Sequence, residues 1–120
     1  MFKHATPIFR SFDEKLAREF YIDFLGFEVV FEHRFEPNTP LYLGLVRDAC
    51  TLHLSEHFGD GAPGAQLRIE VDDVDAMCAQ LNAKQYRNAR PSCQDMPWGS
   101  RQMTINDPFG NRVTFYSEIE

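Results

Sequence analysis

The apolar pattern of the first half of the chain recurs in the second half. The halves flank a Gly- and Pro-rich stretch, Phe58-Gly59-Asp60-Gly61-Ala62-Pro63-Gly64, whose composition marks a connection. Before it, His4 to Arg10 reads as a strand. Ser11-Phe12-Asp13-Glu14 has the spacing of a capping box, with Ser11 as N-cap and Glu14 reaching back. Leu16, Phe20 and Phe24, with Ala17 and Tyr21, recur at helical spacing, and Gly26 supplies the stop. Phe27 to Glu36, Leu41 to Arg47 and Thr51 to Ser55 follow as three strands, separated by turns at Pro37-Asn38-Thr39-Pro40 and Arg47-Asp48. After the connection, Gln66 to Val71 alternates as a half-buried strand does. Asp72-Asp73 opens a helix striped by Val74, Met77, Cys78 and Leu81, where carboxylates suit the N-terminal dipole. Strands are expected around Tyr86 to Arg90, Arg101 to Asn106 and Arg112 to Ser117, with Asp107-Pro108-Phe109-Gly110-Asn111 as the last turn.

The plan is strand–helix–strand–strand–strand, twice, over about residues 1–58 and 65–120. A half of roughly 55 residues buries little apolar surface alone. The expectation is one α+β domain: two such modules forming curved mixed sheets, with a concave face serving as a ligand cleft.

Bulk properties narrow the class. The chain has 120 residues, 43% of them apolar, enough for a real core. No apolar run nears the roughly 20 residues of a membrane span, and Met1-Phe2-Lys3-His4 lacks a secretory apolar stretch. A cytoplasmic location is expected. Cys50, Cys78 and Cys93 are odd in number and form no C-x-x-C pair, which argues against a disulfide framework or a structural zinc. The net charge of -6 argues against nucleic acid, whose phosphates need a basic face. It is compatible with a cationic small molecule, although an acidic balance of this size is also what an ordinary solvated surface carries.

No nucleophile elbow and no Gly-rich phosphate loop is present. Asp72-Asp73 is explained by capping. His53 and His57 stand four apart, which suits a helix, but this segment reads as strand into loop. Four strand residues span about 13 Å, too far for one ion.

The duplicated plan resembles the vicinal oxygen chelate superfamily, which includes glyoxalase I, extradiol dioxygenases, fosfomycin-resistance enzymes and bleomycin-resistance proteins. Phe20-Tyr21-Ile22-Asp23-Phe24-Leu25-Gly26-Phe27 is similar to its FY…LGF segment, and Asp107-Pro108-Phe109-Gly110-Asn111 to its DP-x-GN turn. Three strings point to the bleomycin-resistance branch: Thr6-Pro7-Ile8 in the first strand, Thr51-Leu52-His53-Leu54-Ser55, and Pro97-Trp98-Gly99.

The resemblance implies sequestration of a bleomycin-type, planar and cationic glycopeptide in clefts at a dimer interface, with no catalysis and no cofactor. It also implies a homodimer that exchanges its N-terminal strand. A metal-dependent glyoxalase-like lyase or dioxygenase is the alternative. Superfamily metal ligands fall on the first and last strands of each half. Here those positions hold Thr6 (with His4 two residues earlier), His53, Gln66 and Thr114. Threonine is a poor ligand for a catalytic divalent metal, so no metal is expected; His4, His53 and Gln66 are the residues a metal would use. The resemblance gives Trp98 to ring stacking, against a role as lid over the local core, and Phe35 to the other side of the stack, against core packing. Ser55 and Asn111 match ligand-facing positions, although Asn111 also suits the turn. Glu32, Glu36, Glu56 and Asp60 either bias the cleft negative or form a solvated face.

Overall fold

Apolar alternation in the strands and breakers between them produce two sheets of four strands in a computed structural model that describes residues 1–119. The chain divides into two compact units, Met1–Ala65 and the unit beginning at Gln66. The fold is α+β.

In the first unit β1 (Ile8–Arg10) leads into a short helix α1 (Glu14–Ala17). Strands β2 (Glu28–His33), β3 (Tyr42–Arg47) and β4 (Cys50–Ser55) follow. The sheet order is β1-β4-β3-β2, with β1 parallel to β4 and the other pairs antiparallel. Because strand side chains alternate, Phe9, Leu43, Leu45, Leu52 and Leu54 share one face and are buried. Burying each stabilises the fold by roughly 1.5–3 kcal/mol.

Helix α1 continues as a π-helical segment over Arg18–Phe24, with Leu25 N–H donating to Phe20 O at 2.9 Å. In that wider turn residues four and five apart share a side, so Phe20, Tyr21, Phe24 and Leu25 all face inward and are buried. Phe20 packs edge-on against Tyr21 with centroids 4.8 Å apart. Gly26 ends the turn at φ +81°, a left-handed conformation that glycine adopts without a steric cost.

The capping box at Ser11 is corrected. Asp13 is the N-cap, its carboxylate accepting from Leu16 N at 2.9 Å. Ser11 is still engaged with the sheet, its N–H donating to Ser55 O at 2.8 Å, so the helix starts two residues later. Glu14 does not reach back, because it pairs with Arg18 and Arg34. The first strand is also shorter than His4 to Arg10. Residues 1–7 form no strand, although His53 N–H donates to Pro7 O at 3.0 Å. β2 ends at His33 rather than Glu36, and an irregularity between Val29 and Phe31 shifts its register.

The second unit repeats the plan. Strand β5 (Gln66–Glu70) precedes α2 (Val74–Ala83), which is capped by the Asp73 carboxylate accepting from Ala76 N. Strands β6 (Gln94–Asp95), β7 (Ser100–Asn106) and β8 (Arg112–Glu118) complete the order β5-β8-β7-β6, again with one parallel pair, β5–β8. Helix α2 packs on β7 and β8. Val74, Met77 and Leu81 are buried with Met103, Ile105, Val113 and Phe115.

The strand expected at Tyr86 to Arg90 is absent. Gln85 takes φ +54°, and Ala89 N–H donates to Tyr86 O, so the chain turns instead of extending. The edge strand is the two-residue β6, paired with Arg101 and Gln102.

Candidate functional site

In the first unit the sheet face opposite the leucines carries rings. The register aligns Ile8, His53, Gly44 and Phe31 across β1-β4-β3-β2, with Ser55, Tyr42 and His33 in the next row. Phe31 and Tyr42 stack nearly parallel, 11° apart with centroids at 6.0 Å. His53 meets both edge-on, at 5.2 Å from Phe31 and 5.3 Å from Tyr42. Its Nδ1 is hydrogen-bonded to the Tyr42 hydroxyl at 2.8 Å. Burial and the nearby Asp60 carboxylate push the Tyr42 phenol above its usual range, so it keeps its proton through neutral pH. The Phe31 ring lies flat over Gly44, where no side chain opposes it. Phe31 is 43% exposed.

Phe35 lies beyond the end of β2, 77% exposed, which excludes core packing. Its ring meets His33 edge-on at 4.8 Å and His57 at 6.2 Å. Ser55 is buried, donating to Asp60 Oδ2 at 2.9 Å and accepting from His57 N–H at 3.1 Å. Its position orders the loop after β4. Of the four acidic residues, Glu32 pairs with Arg18, Glu56 accepts from Leu41 N–H, and Asp60 accepts from Ser55. Glu36 is exposed in the turn closed by Thr39.

A groove of about 830 Å³ lies beside α1, lined by Phe12, Glu14, Arg18, Asp23 and Arg34 among others. Three of its charges pair with one another: Glu14 meets Arg18 at 2.8 Å and Arg34 at 2.6 Å. Apart from Phe12 its lining presents no ring, so the aromatic sheet face is better suited to a planar ligand.

In the second unit Trp98 is 62% exposed in a tight turn that Gly99 N–H closes on Met96 O at 3.1 Å. It is no lid over a core. Asn111 is buried at the Asp107 turn, its N–H and Nδ2 donating to Asp107 at 2.8 and 2.9 Å. It builds the turn between β7 and β8.

The residues at the metal positions of the resemblance are placed, each within its own unit, as follows. His4 is exposed ahead of β1. His53 Nδ1 is held by Tyr42. Gln66 Nε2 donates to Thr114 Oγ1 at 3.3 Å, and Thr114 shares a hydrogen bond with Thr104 at 2.9 Å. Among the described residues no group of three or more His, Cys, Asp or Glu side chains gathers. Two thiols are shifted away from nucleophilic character: burial pushes Cys50 up, and burial with neighbouring Cys78 pushes Cys93 up to about 11.

A family model described as "Glyoxalase superfamily protein" matches residues 1–120. The chain belongs to the glyoxalase superfamily. It is similar to a bleomycin-binding protein from bleomycin-producing Streptomyces verticillus, solved with copper(II)-bleomycin. The two are 28% identical over 100% of this chain and 98% of that one, with a TM-score of 0.70. A bleomycin-binding protein solved with bleomycin is 22% identical over 98% and 99% of the two chains, TM-score 0.76. A bleomycin resistance determinant encoded on the transposon Tn5 is 20% identical over 98% of each, TM-score 0.75. No curated protein matches the chain in sequence. Among the described residues no helix is long and apolar enough to cross a membrane.

Within this glyoxalase-superfamily chain, the Phe31–Tyr42–His53 cluster is what sequence reading missed. Its signal is register. Phe31, Gly44 and His53 sit on three strands, and only strand pairing brings them to one row.

Proposed function

We propose that this protein binds and sequesters a planar, cationic glycopeptide of the bleomycin class, without catalysis, in the cytoplasm. The observation that carries the reading is the exposure of Trp98 and Phe35, on a chain 28% identical to a protein solved with copper(II)-bleomycin. Exposed rings that gather into a patch mark interaction sites, and Phe35 lies edge-on to His33 and His57. Flat heteroaromatic rings stack on such side chains, and a cation is drawn to aromatic faces and to a protein of net charge -6. Phe31, Tyr42 and His53 add a second aromatic surface to this reading. Ser55 and Asn111 act by holding the loop and turn near which ligand contacts form. A non-catalytic role agrees with the donor chemistry: Thr114 stands where the resemblance places a terminal glutamate ligand, and its hydroxyl is hydrogen-bonded to Gln66 and Thr104.

The protein acts in this reading as a homodimer with ligand clefts at the subunit boundary. Pro7 supports exchange of the N-terminal strand, since proline stiffens the chain and removes a donor, and exchange of identical elements closes a two-fold dimer at low cost. A monomer at micromolar concentration by light scattering counts against the dimer.

Trp98 is the sole tryptophan, so its fluorescence reports on its own surroundings. Titration of the purified protein with a bleomycin is expected to change that emission saturably. An emission unchanged by ligand, together with no heat of binding by calorimetry, overturns the proposal.

A further inference from the structure

The polar face of the second sheet carries two arginines beside the superfamily's metal positions in this unit, Gln66 and Thr114. The register sets Gln66 beside Arg112, and Arg68 beside Thr114 and then Thr104. Residues two apart on a strand share a face, so Arg68, Arg112, Gln66, Thr104 and Thr114 stand together on one side of this sheet. The other side carries Leu67, Ile69, Val113 and Phe115.

The two guanidiniums are held in place by neutral groups. Arg68 lies 4.3 Å from the Tyr116 ring centroid and donates through Nη1 to Gln102 Oε1 at 3.2 Å. Arg112 donates through Nη2 to Gln66 Oε1 at 3.3 Å. Gln66 is in turn oriented by Thr114, and Thr114 by Thr104. Glu70 and Glu118 lie on the same face toward its other end, but among the described residues neither Arg68 nor Arg112 belongs to an ion pair. This contrasts with Arg18, Arg34 and Arg101, each of which pairs with a carboxylate. A guanidinium has five N–H donors in a planar fork, and each of these two spends few of them on the protein. Strand spacing and rise put their Cα atoms about 8 Å apart, close enough for two long side chains to converge on one small group.

We propose that this face is an oxyanion-binding site, in which Arg68 and Arg112 together take the carboxylate, sulfate or phosphate group of a ligand. The physical reason is charge. Two unpaired cations on one face oppose a divalent metal at Gln66 and Thr114, and they match the geometry of an oxyanion, which accepts paired N–H donors from each fork. Stacking on Tyr116 reduces the rotamer freedom Arg68 loses on binding. The site is built from residues of the second unit alone and does not depend on the identity of the planar ligand.

Sodium sulfate and sodium acetate serve as probes, each titrated into the whole protein against sodium chloride at matched ionic strength. The readout is the Nε–Hε resonances of the arginines by NMR. The expected result is a saturable shift of Arg68 and Arg112 with sulfate or acetate, with Arg18, Arg34 and Arg101 unmoved. Saturation by sulfate identifies a tetrahedral group; saturation by acetate alone identifies a carboxylate. Arg68→Gln and Arg112→Gln, both at exposed positions, should each weaken the anion by about tenfold, or about 1.4 kcal/mol. Shifts that track ionic strength identically in chloride overturn the proposal. So does anion binding that survives unchanged in the double variant with thermal stability intact. Bleomycin titration of the same variants keeps the two readings separate, since loss of anion binding with retained bleomycin binding supports this site alone.

Discussion

The Phe31 ring occupies the space that a side chain on Gly44 would need. A Cβ built on Gly44 would stand 2.1 Å from Phe31 Cε1 and 2.5 Å from Cδ1. The glycine is therefore what lets this ring lie down on the sheet and stack with Tyr42. Gly44→Ala should lift Phe31 from its place. The ring is partly exposed and free to move, so stability should change by no more than about 1 kcal/mol, with the added strand propensity offsetting lost contacts. The Tyr42 and His53 ring-current shifts seen by NMR should change clearly. Unaltered shifts would show that the ring does not rest on Gly44 in solution.

Trp98 and Phe35 are both exposed, so truncating either should leave denaturant stability within about 0.5 kcal/mol of the parent. If they stack a ligand, Trp98→Ala should cost about 1–3 kcal/mol of bleomycin affinity. Trp98→Phe should cost less, because a ring remains. Phe35→Ala should fall in the same range as Trp98→Ala. Calorimetry and urea unfolding on the same variants separate affinity from folding. An affinity unchanged in stably folded Trp98→Ala protein removes Trp98 from the site.

Asp107 closes the turn before β8. Its Oδ1 accepts from the N–H groups of Phe109 and Asn111, both at 2.8 Å, and Oδ2 accepts from Asn111 Nδ2. Asp107→Ala leaves buried donors without acceptors, at about 1–3 kcal/mol each. A loss of about 2–4 kcal/mol is expected by urea unfolding. Asp107→Asn retains one acceptor oxygen and should lose less. A cost below 0.5 kcal/mol, on the scale of ordinary surface changes, would show that the turn forms without this side chain.

Glu14 links α1 to the residues around β2. The Arg18 guanidinium bonded to it, with Arg34 alongside, holds its carboxyl below the usual carboxylate range. A carboxyl whose folded pKa is depressed contributes stability above its unfolded pKa, and that contribution is lost as pH falls through the folded value. The side chain is 39% exposed, so solvent screening limits the effect to about 0.5–1 kcal/mol. Glu14→Gln should therefore be less stable than the parent at pH 7 and equally stable once the pH is below the carboxylate range. A stability gap of the same size at both ends would assign the effect to packing instead of charge.

Much of the architecture was legible from local signals. The start of α2 and its buried face follow from Asp72-Asp73 and the Val74, Met77, Leu81 stripe. The last two strands follow from the Asp107-Pro108-Phe109-Gly110-Asn111 turn, and Gly26 marks the end of the first helix. These features depend on a few adjacent residues: a carboxylate that caps, a glycine that tolerates positive φ, and an apolar period that matches one secondary structure.

Other features were decided between distant residues. Ser11 does not cap α1 because its N–H is claimed by Ser55, 44 positions later along the chain. The π-helical turn forms because two pairs of adjacent large residues, Phe20-Tyr21 and Phe24-Leu25, are drawn to the same core. Ser55 and Asn111, which the resemblance assigns to a ligand, also meet partners several residues away, Asp60 and Asp107, that build a loop and a turn. The Phe31–Tyr42–His53 cluster and the Arg68–Arg112 face exist only once strand register sets residues from separate strands side by side. Composition and periodicity decide which face of a strand turns toward a core; the pairing of one strand with another decides which side chains meet on the face left open.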